Sequence, residues 1–200
     1  MRLKGRGAGS NATGRFEREK REVFDDGWGT ADEEPPQLST SFIRDSTRTI
    51  IARNDSPDIP FDRSINPYRG CEHGCIYCFA RPTHAYLGLS PGLDFESRLF
   101  AKPDAPSLLE KELAAPNYEP RMIAIGTNTD PYQPIERERQ IMRGILEVLD
   151  RAGHPVGIVT KSALILRDLD LLKVISGKHR FGVHMTVTTT NARLARLLEP

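Results

Sequence analysis

Two hundred residues with 28 Lys and Arg against 27 Asp and Glu carry a formal charge of +1, so the whole molecule presents no field for a polyanion. At 38% hydrophobic and 28% charged residues, the composition suits one globular domain with some poorly packed extra length. Neither a run of about 18 apolar residues nor the apolar core of a secretory signal occurs, which argues against a membrane-spanning helix and leads to the expectation of a soluble, cytoplasmic protein.

The first segment, Met1 to Arg21, is basic and glycine-rich. Arg2, Lys4, Arg6, Arg15, Arg18, Lys20 and Arg21 face only Glu17 and Glu19, and a segment so poor in apolar residues is expected to be mobile. It reads either as a solvated terminus or as a basic arm for nucleic acid. Gly5-Arg6-Gly7-Ala8-Gly9 is no dinucleotide fingerprint, because no strand precedes it and no helix-forming stretch follows. Asp25 to Pro36 is an acidic, proline-punctuated linker, with Trp28 expected to pin it to the domain surface. Thr49 to Ala52 is expected to be a short edge strand, and the domain proper to start near Phe61.

Cys71, Cys75 and Cys78 follow, spaced C-x-x-x-C-x-x-C, and the chain has no other cysteine. Three thiols within eight positions make no disulfide framework, whereas a reducing compartment leaves thiolates free for metal. Clusters that only carry electrons usually have four cysteine ligands, so three thiolates imply a [4Fe-4S] cluster with one iron left open. The competing reading is a zinc site completed by His73 or His84, of which His84 has the better reach. Gly70 and Gly74 permit close backbone approach to a cluster, and Arg69 and Arg81 flank the loop, either tuning its charge or pairing with Glu72 and Asp94 at the surface.

Beyond the cysteines the pattern alternates. Arg121 to Gly126 reads as a buried strand, Ile135 to Ala152 as a helix with Ile141, Met142, Ile145, Leu146, Val148 and Leu149 on one face, and Gly153-His154-Pro155 as its stop. Val156 to Thr160 is the next buried strand, Ala163 to Ile175 the next helix, Phe181 to Thr188 another strand, and Asn191 to Leu198 a fresh helical pattern. With a strand before Cys71 this gives about four βα units, hence an α/β fold with a parallel sheet. Such sheets place their chemistry at the carboxyl ends of the strands, here the loops Thr127 to Ile135, Lys161-Ser162 and Thr186 to Asn191.

The run from Ser64 to Arg81 around the cysteines, then Tyr86 to Glu96 and Thr127 to Glu136, resembles the radical SAM superfamily in its SplB-type branch, related to spore photoproduct lyase. The likeness covers about residues 48 to 200, with 1 to 47 similar to the flexible extension of a bacterial subgroup. It implies a parallel (β/α) barrel of six units, so that 48 to 200 would be its N-terminal part. It also implies a [4Fe-4S] cluster on Cys71, Cys75 and Cys78, with S-adenosylmethionine on the open iron, cleaved reductively to a 5′-deoxyadenosyl radical that abstracts hydrogen from a substrate. The cofactor contacts implied are Tyr77 near the adenine, Thr129 beside Asp130, Lys161 toward the carboxylate, and Thr186. The implied partners are an electron donor such as flavodoxin or ferredoxin, with nucleic acid as one candidate substrate. One departure stands out: Thr127 occupies the place where these lyases carry a hydrogen-returning cysteine, leaving Tyr132 and Tyr68 as candidate donors. The remaining readings are a non-catalytic iron-sulfur or zinc-binding module and a nucleic-acid modification enzyme using the basic arm.

Overall fold

Residues 5–20 and 39–200 are described in the structure, a computed structural model. In chain order the elements are β1 (Ser41–Arg44), β2 (Ala52–Arg53), β3 (Arg63–Ile65), β4 (Tyr68–Arg69), a 3-10 helix (Arg81–Leu87), α1 (Leu93–Ser97), β5 (Arg98–Ala101), α2 (Ala105–Leu113) and β6 (Ile123–Ile125). There follow α3 (Glu136–Arg139), α4 (Ile141–Arg151), β7 (Val156–Thr160), a further 3-10 helix (Ala163–Asp168), α5 (Leu169–Lys178), β8 (Phe181–Met185) and α6 (Ala192–Leu198). The chain divides into two bodies, one of residues 1–43, 69–100 and 188–200, the other of 44–68 and 101–187.

The second body is a mixed α/β unit on an open five-stranded sheet in the order β2-β3-β6-β7-β8. Strands β3, β6, β7 and β8 run parallel, with Ile65 opposite Ile125, Ile125 opposite Ile158 and Ile158 opposite Val183, while β2 closes one edge antiparallel. All three residues of β6 are buried and β7 alternates, burying Val156, Ile158 and Thr160. The unbroken buried run of β6 marks a strand covered on both faces. Helix α4 buries the six apolar residues expected of it, each contributing about 1.5–3 kcal/mol of transfer free energy.

Local departures have physical causes. The helix expected over 135–152 is broken at Gln140, which takes a left-handed φ of 50°. The wholly buried Glu136 carboxylate accepts from the amides of Ile141 at 3.1 Å and Met142 at 3.0 Å, so it caps α4 across the break. The stretch from Ala163 begins as a 3-10 turn, with Ser162 accepting from the Leu164 amide, before α5 starts at Leu169. The last strand ends at Met185 rather than Thr188, and the edge strand expected over 49–52 forms at Ala52–Arg53.

In the first body, Leu93, Phe95 and Leu99 are buried together with Ala85 and Leu89. Residues 5–20, which composition assigns to a mobile terminus, are held here by specific hydrogen bonds from Arg6, Gly7 and Asn11. The acidic linker with Trp28 lies outside the described residues. Strands β1, β5 and β4 form a three-stranded sheet in the order β1-β5-β4.

Candidate metal centre

The cysteine loop begins where Gly70, at φ 77°, turns the chain out of β4. A Cβ at that position would sit 2.5 Å from Leu99 and 2.8 Å from the Phe95 carbonyl, so only glycine brings the backbone this close to α1 and β5. The Cys71 amide then donates to Phe95 O at 3.0 Å, and the Cys78 amide to Cys75 O at 3.3 Å. All three thiols are free of disulfides. Cys71 and Cys75 are each 7% exposed, and Cys78 packs against the buried cluster of Cys71, Ala80 and Phe95.

Arg81 grips this loop from behind. Its guanidinium donates to Gly74 O at 2.9 Å and Cys75 O at 3.0 Å, and pairs with Glu96 at 2.5 Å. Glu96 is fully buried, so the pair differs from the surface pairing with Asp94 that sequence suggests. Asp94 instead accepts from the Ser90 amide at 2.9 Å and the Asn11 side chain at 3.1 Å, while Glu72 meets Arg6 at 3.4 Å. A buried ion pair sitting on loop carbonyls fixes local geometry and brings positive charge beside the cysteine backbone, two levers on a bound cluster.

Among the described residues, no group of three His, Cys, Asp or Glu side chains converges on a point where it could hold one metal ion. A single zinc requires its thiolates and imidazoles within about 2.0–2.3 Å of one centre, whereas a cubane spreads its thiolates over separate irons. His84, the better zinc candidate, is 1% exposed and its Nε2 bonds to Arg98 O at 2.9 Å. Its ring stands edge-on to Phe95, and burial pushes its pKa down. Cys71 and Cys78 thus share an apolar cluster with Ala80 and Phe95, and Cys75 lies on the same loop.

Tyr77 is half-exposed in the same body, and its hydroxyl is engaged by Thr188 at 2.8 Å and by Glu199. The loop continues into a contact with α6, where the Ile76 amide donates to Leu198 O at 3.1 Å.

The second body gathers the other singled-out residues at the carboxyl ends of its parallel strands. Asp130, after β6, accepts from the Thr160 hydroxyl at 2.7 Å, the Lys161 amide at 2.9 Å and the Tyr132 amide at 2.9 Å. It thereby ties the loop after β6 to the end of β7. Thr129 is buried and its hydroxyl donates to Tyr68 O at 2.8 Å, while Asn66 accepts from the amides of Asn128 and Thr129. Thr186 is exposed and its amide donates to Thr160 O at 2.9 Å, just past β8. Thus Asp130, Thr160, Lys161 and Thr186 meet at one sheet edge.

Sequence reasoning missed the carboxylate network beneath that edge. Tyr68 donates to Glu136, and Tyr132 to Asp168 at 3.1 Å, while Arg167 bridges Glu136 at 2.8 Å and Asp168 at 2.7 Å. Both tyrosines and both carboxylates are fully buried. Burial pushes the Glu136 carboxyl up against the opposing hydrogen bonds of Tyr68 and Arg167, and pushes both phenols up as well. Apolar spacing hides such a network, because charged residues off the apolar face of a helix read as solvated.

No protein-family profile matches the chain, and no solved structure matches it significantly. An uncharacterized protein of Mycobacterium tuberculosis is 40% identical over 141 residues, which cover 70% of this chain and 42% of that protein. An uncharacterized protein of Mycobacterium bovis matches to the same extent. One from Methanocaldococcus jannaschii is 30% identical over 136 residues, covering 68% of this chain and 48% of that protein. The chain therefore spans less than half the length of these curated relatives.

Proposed function

We propose that the protein is a radical SAM enzyme domain in which Cys71, Cys75 and Cys78 hold a [4Fe-4S] cluster whose fourth iron takes S-adenosylmethionine. The observation that carries this reading is the set of three cysteines outside any disulfide on one kinked loop, two of them sharing the buried cluster with Phe95, in a chain that has no fourth. When bound and reduced, that pair of groups supplies one-electron cleavage of the sulfonium and a 5′-deoxyadenosyl radical for hydrogen abstraction.

The chain's own residues have definable tasks. Phe95 and Ala80 keep water from the sulfur of Cys71, and Arg81 fixes the carbonyls of Gly74 and Cys75, so the thiolates are presented in one arrangement. At the carboxyl ends of the strands Asp130 orients the Lys161 backbone, and the Lys161 ammonium, a point charge on a flexible four-carbon stem, is assigned to the cofactor carboxylate. Thr129 and Thr186 are assigned to its polar groups, and Tyr77 to its adenine. The parallel strands β3, β6, β7 and β8 are read as the first strands of a radical SAM barrel, with flavodoxin or ferredoxin as reductant.

Anaerobic reconstitution tests the reading. It expects about four irons and four sulfides per chain. It also expects release of 5′-deoxyadenosine on adding dithionite with S-adenosylmethionine, and loss of that release in Cys75→Ala. Stoichiometric zinc in protein purified without oxygen would overturn it, and a cluster without deoxyadenosine release would reduce it to a binding module.

A further inference from the structure

The glycine-rich run at the N-terminus matches no nucleotide motif, yet part of it packs on the cysteine loop. Gly7 lies directly on the cysteine loop: a Cβ there would fall 1.9 Å from Gly74 O and 3.1 Å from the Ile76 side chain. The fit is reciprocal, since a Cβ on Gly74 would meet Arg6 Cβ at 2.6 Å. Two glycines from segments 67 residues apart are thus stacked backbone on backbone, a separation no larger side chain permits.

Hydrogen bonds fasten the arm along its length. The Gly7 amide donates to the Glu96 carboxylate at 3.1 Å, the same carboxylate that pairs with Arg81. Arg6 donates to Glu96 O at 2.8 Å and to Thr40 at 3.0 Å, and reaches Glu72 at 3.4 Å. The Leu93 amide donates to Ser10 O at 3.2 Å, and Asn11 exchanges two hydrogen bonds with Asp94, both at 3.1 Å. Ser90 donates to Ala12 O. Glu96 is consequently a junction: its carboxylate accepts from the Gly7 amide of the arm through both oxygens and, through Oε1, pairs with the arginine that grips Gly74 and Cys75.

We propose that residues Arg6 to Ala12 are a strap that forms one wall of the cysteine loop, with Arg6, Gly7 and Asn11 as positioning residues that hold Cys71 to Cys78 in the arrangement that takes metal. The consequence for metal rests on the radical SAM reading; the strap itself does not. Arg6, the one basic residue of the strap, is thereby engaged by Glu96, Thr40 and Glu72.

The test compares the full chain with Gly7→Val and with a chain lacking residues 2–12, first without metal. Hydrogen exchange at residues 70–81 is expected to quicken about tenfold or more in both variants, with α4 unchanged, because loss of the strap opens this segment locally. Exchange that is unchanged at 70–81, or that quickens equally in α4, overturns the proposal. Arg15→Ala, which removes the exposed stacking of Arg15 on Phe16 and Tyr86 and its hydrogen bond to the Tyr86 hydroxyl, is expected to leave the loop as it is. Reconstitution with iron and sulfide is the second arm: the variants are expected to retain under half the iron of the full chain, and their remaining cluster to show a shifted reduction potential. Full iron at an unshifted potential overturns the positioning role. If the full chain itself takes up no iron, the metal reading fails, while the exchange result still decides the strap.

Discussion

Arg81 and Glu96 form an ion pair at 2.5 Å with the carboxylate fully buried, and the same guanidinium holds the carbonyls of Gly74 and Cys75. The pair therefore connects the interior of the first body to the peptide that carries the thiols. Breaking a buried pair from one side leaves an uncompensated charge, at a cost of about 3–5 kcal/mol. Arg81→Met is expected to lower stability at the lower end of that range, since the Gly7 amide still serves Glu96. Denaturant melts check this, and the Arg81→Met, Glu96→Gln double variant is expected to lose less than the sum of the singles.

Asp130 serves three donors at once. Asp130→Ala strands the amides of Tyr132 and Lys161 and the hydroxyl of Thr160, so a loss of about 1–3 kcal/mol is expected. Iron content should stay at the wild-type level while the apparent affinity for S-adenosylmethionine falls. Equal losses of iron and affinity would contradict a role confined to the sheet edge.

Tyr68→Phe removes one donor from the buried Glu136 carboxylate and leaves Arg167 and two amides in place. A destabilisation of about 1–3 kcal/mol is expected by chemical denaturation. Tyr132→Phe is expected to act similarly through Asp168, which keeps Arg143 and Arg167 as partners. If either variant instead abolishes deoxyadenosine formation at unchanged stability, the phenol takes part in the radical chemistry.

Stability should fall in mild acid. His84 and His154 are both buried, and burial pushes both imidazoles below 6.5. His154 donates from Nδ1 to Pro155 O at 2.9 Å, and its Nε2 shares a hydrogen bond with the Tyr118 hydroxyl at 2.8 Å. The unfolded chain binds these protons first, so stability is complete above about pH 6.5 and declines as pH falls toward the lowered native values. Thermal melts at pH 7.5 and pH 5.5 are expected to show the decline, and His154→Gln to flatten it.

Much of the second body was legible because periodicity reports packing. Val156 to Thr160 alternates as a covered strand, and Ile141 to Leu149 repeats at helical spacing, and both form where expected. What escaped was set by polar contacts, some local and some between distant segments. The break at Gln140 follows from Glu136 reaching the amides of Ile141 and Met142, which no apolar pattern encodes. Docking of Gly7 on Gly74 escaped for the same reason: glycine and arginine read as solvent-loving until a buried carboxylate such as Glu96 is known to await them. At the candidate site the cysteine spacing was plain, but the hold of Arg81 on the loop was not, since its partner is Glu96 rather than the acidic residues nearer in the motif.

The central claim is that one iron of the cluster lacks a protein ligand and accepts S-adenosylmethionine. The direct measurement is electron paramagnetic resonance of the anaerobically reconstituted, dithionite-reduced protein, recorded with and without that compound. The account predicts a reduced-cluster signal that changes shape on its addition and disappears in Cys71→Ala; a signal indifferent to it, or the absence of any cluster signal, would contradict the account.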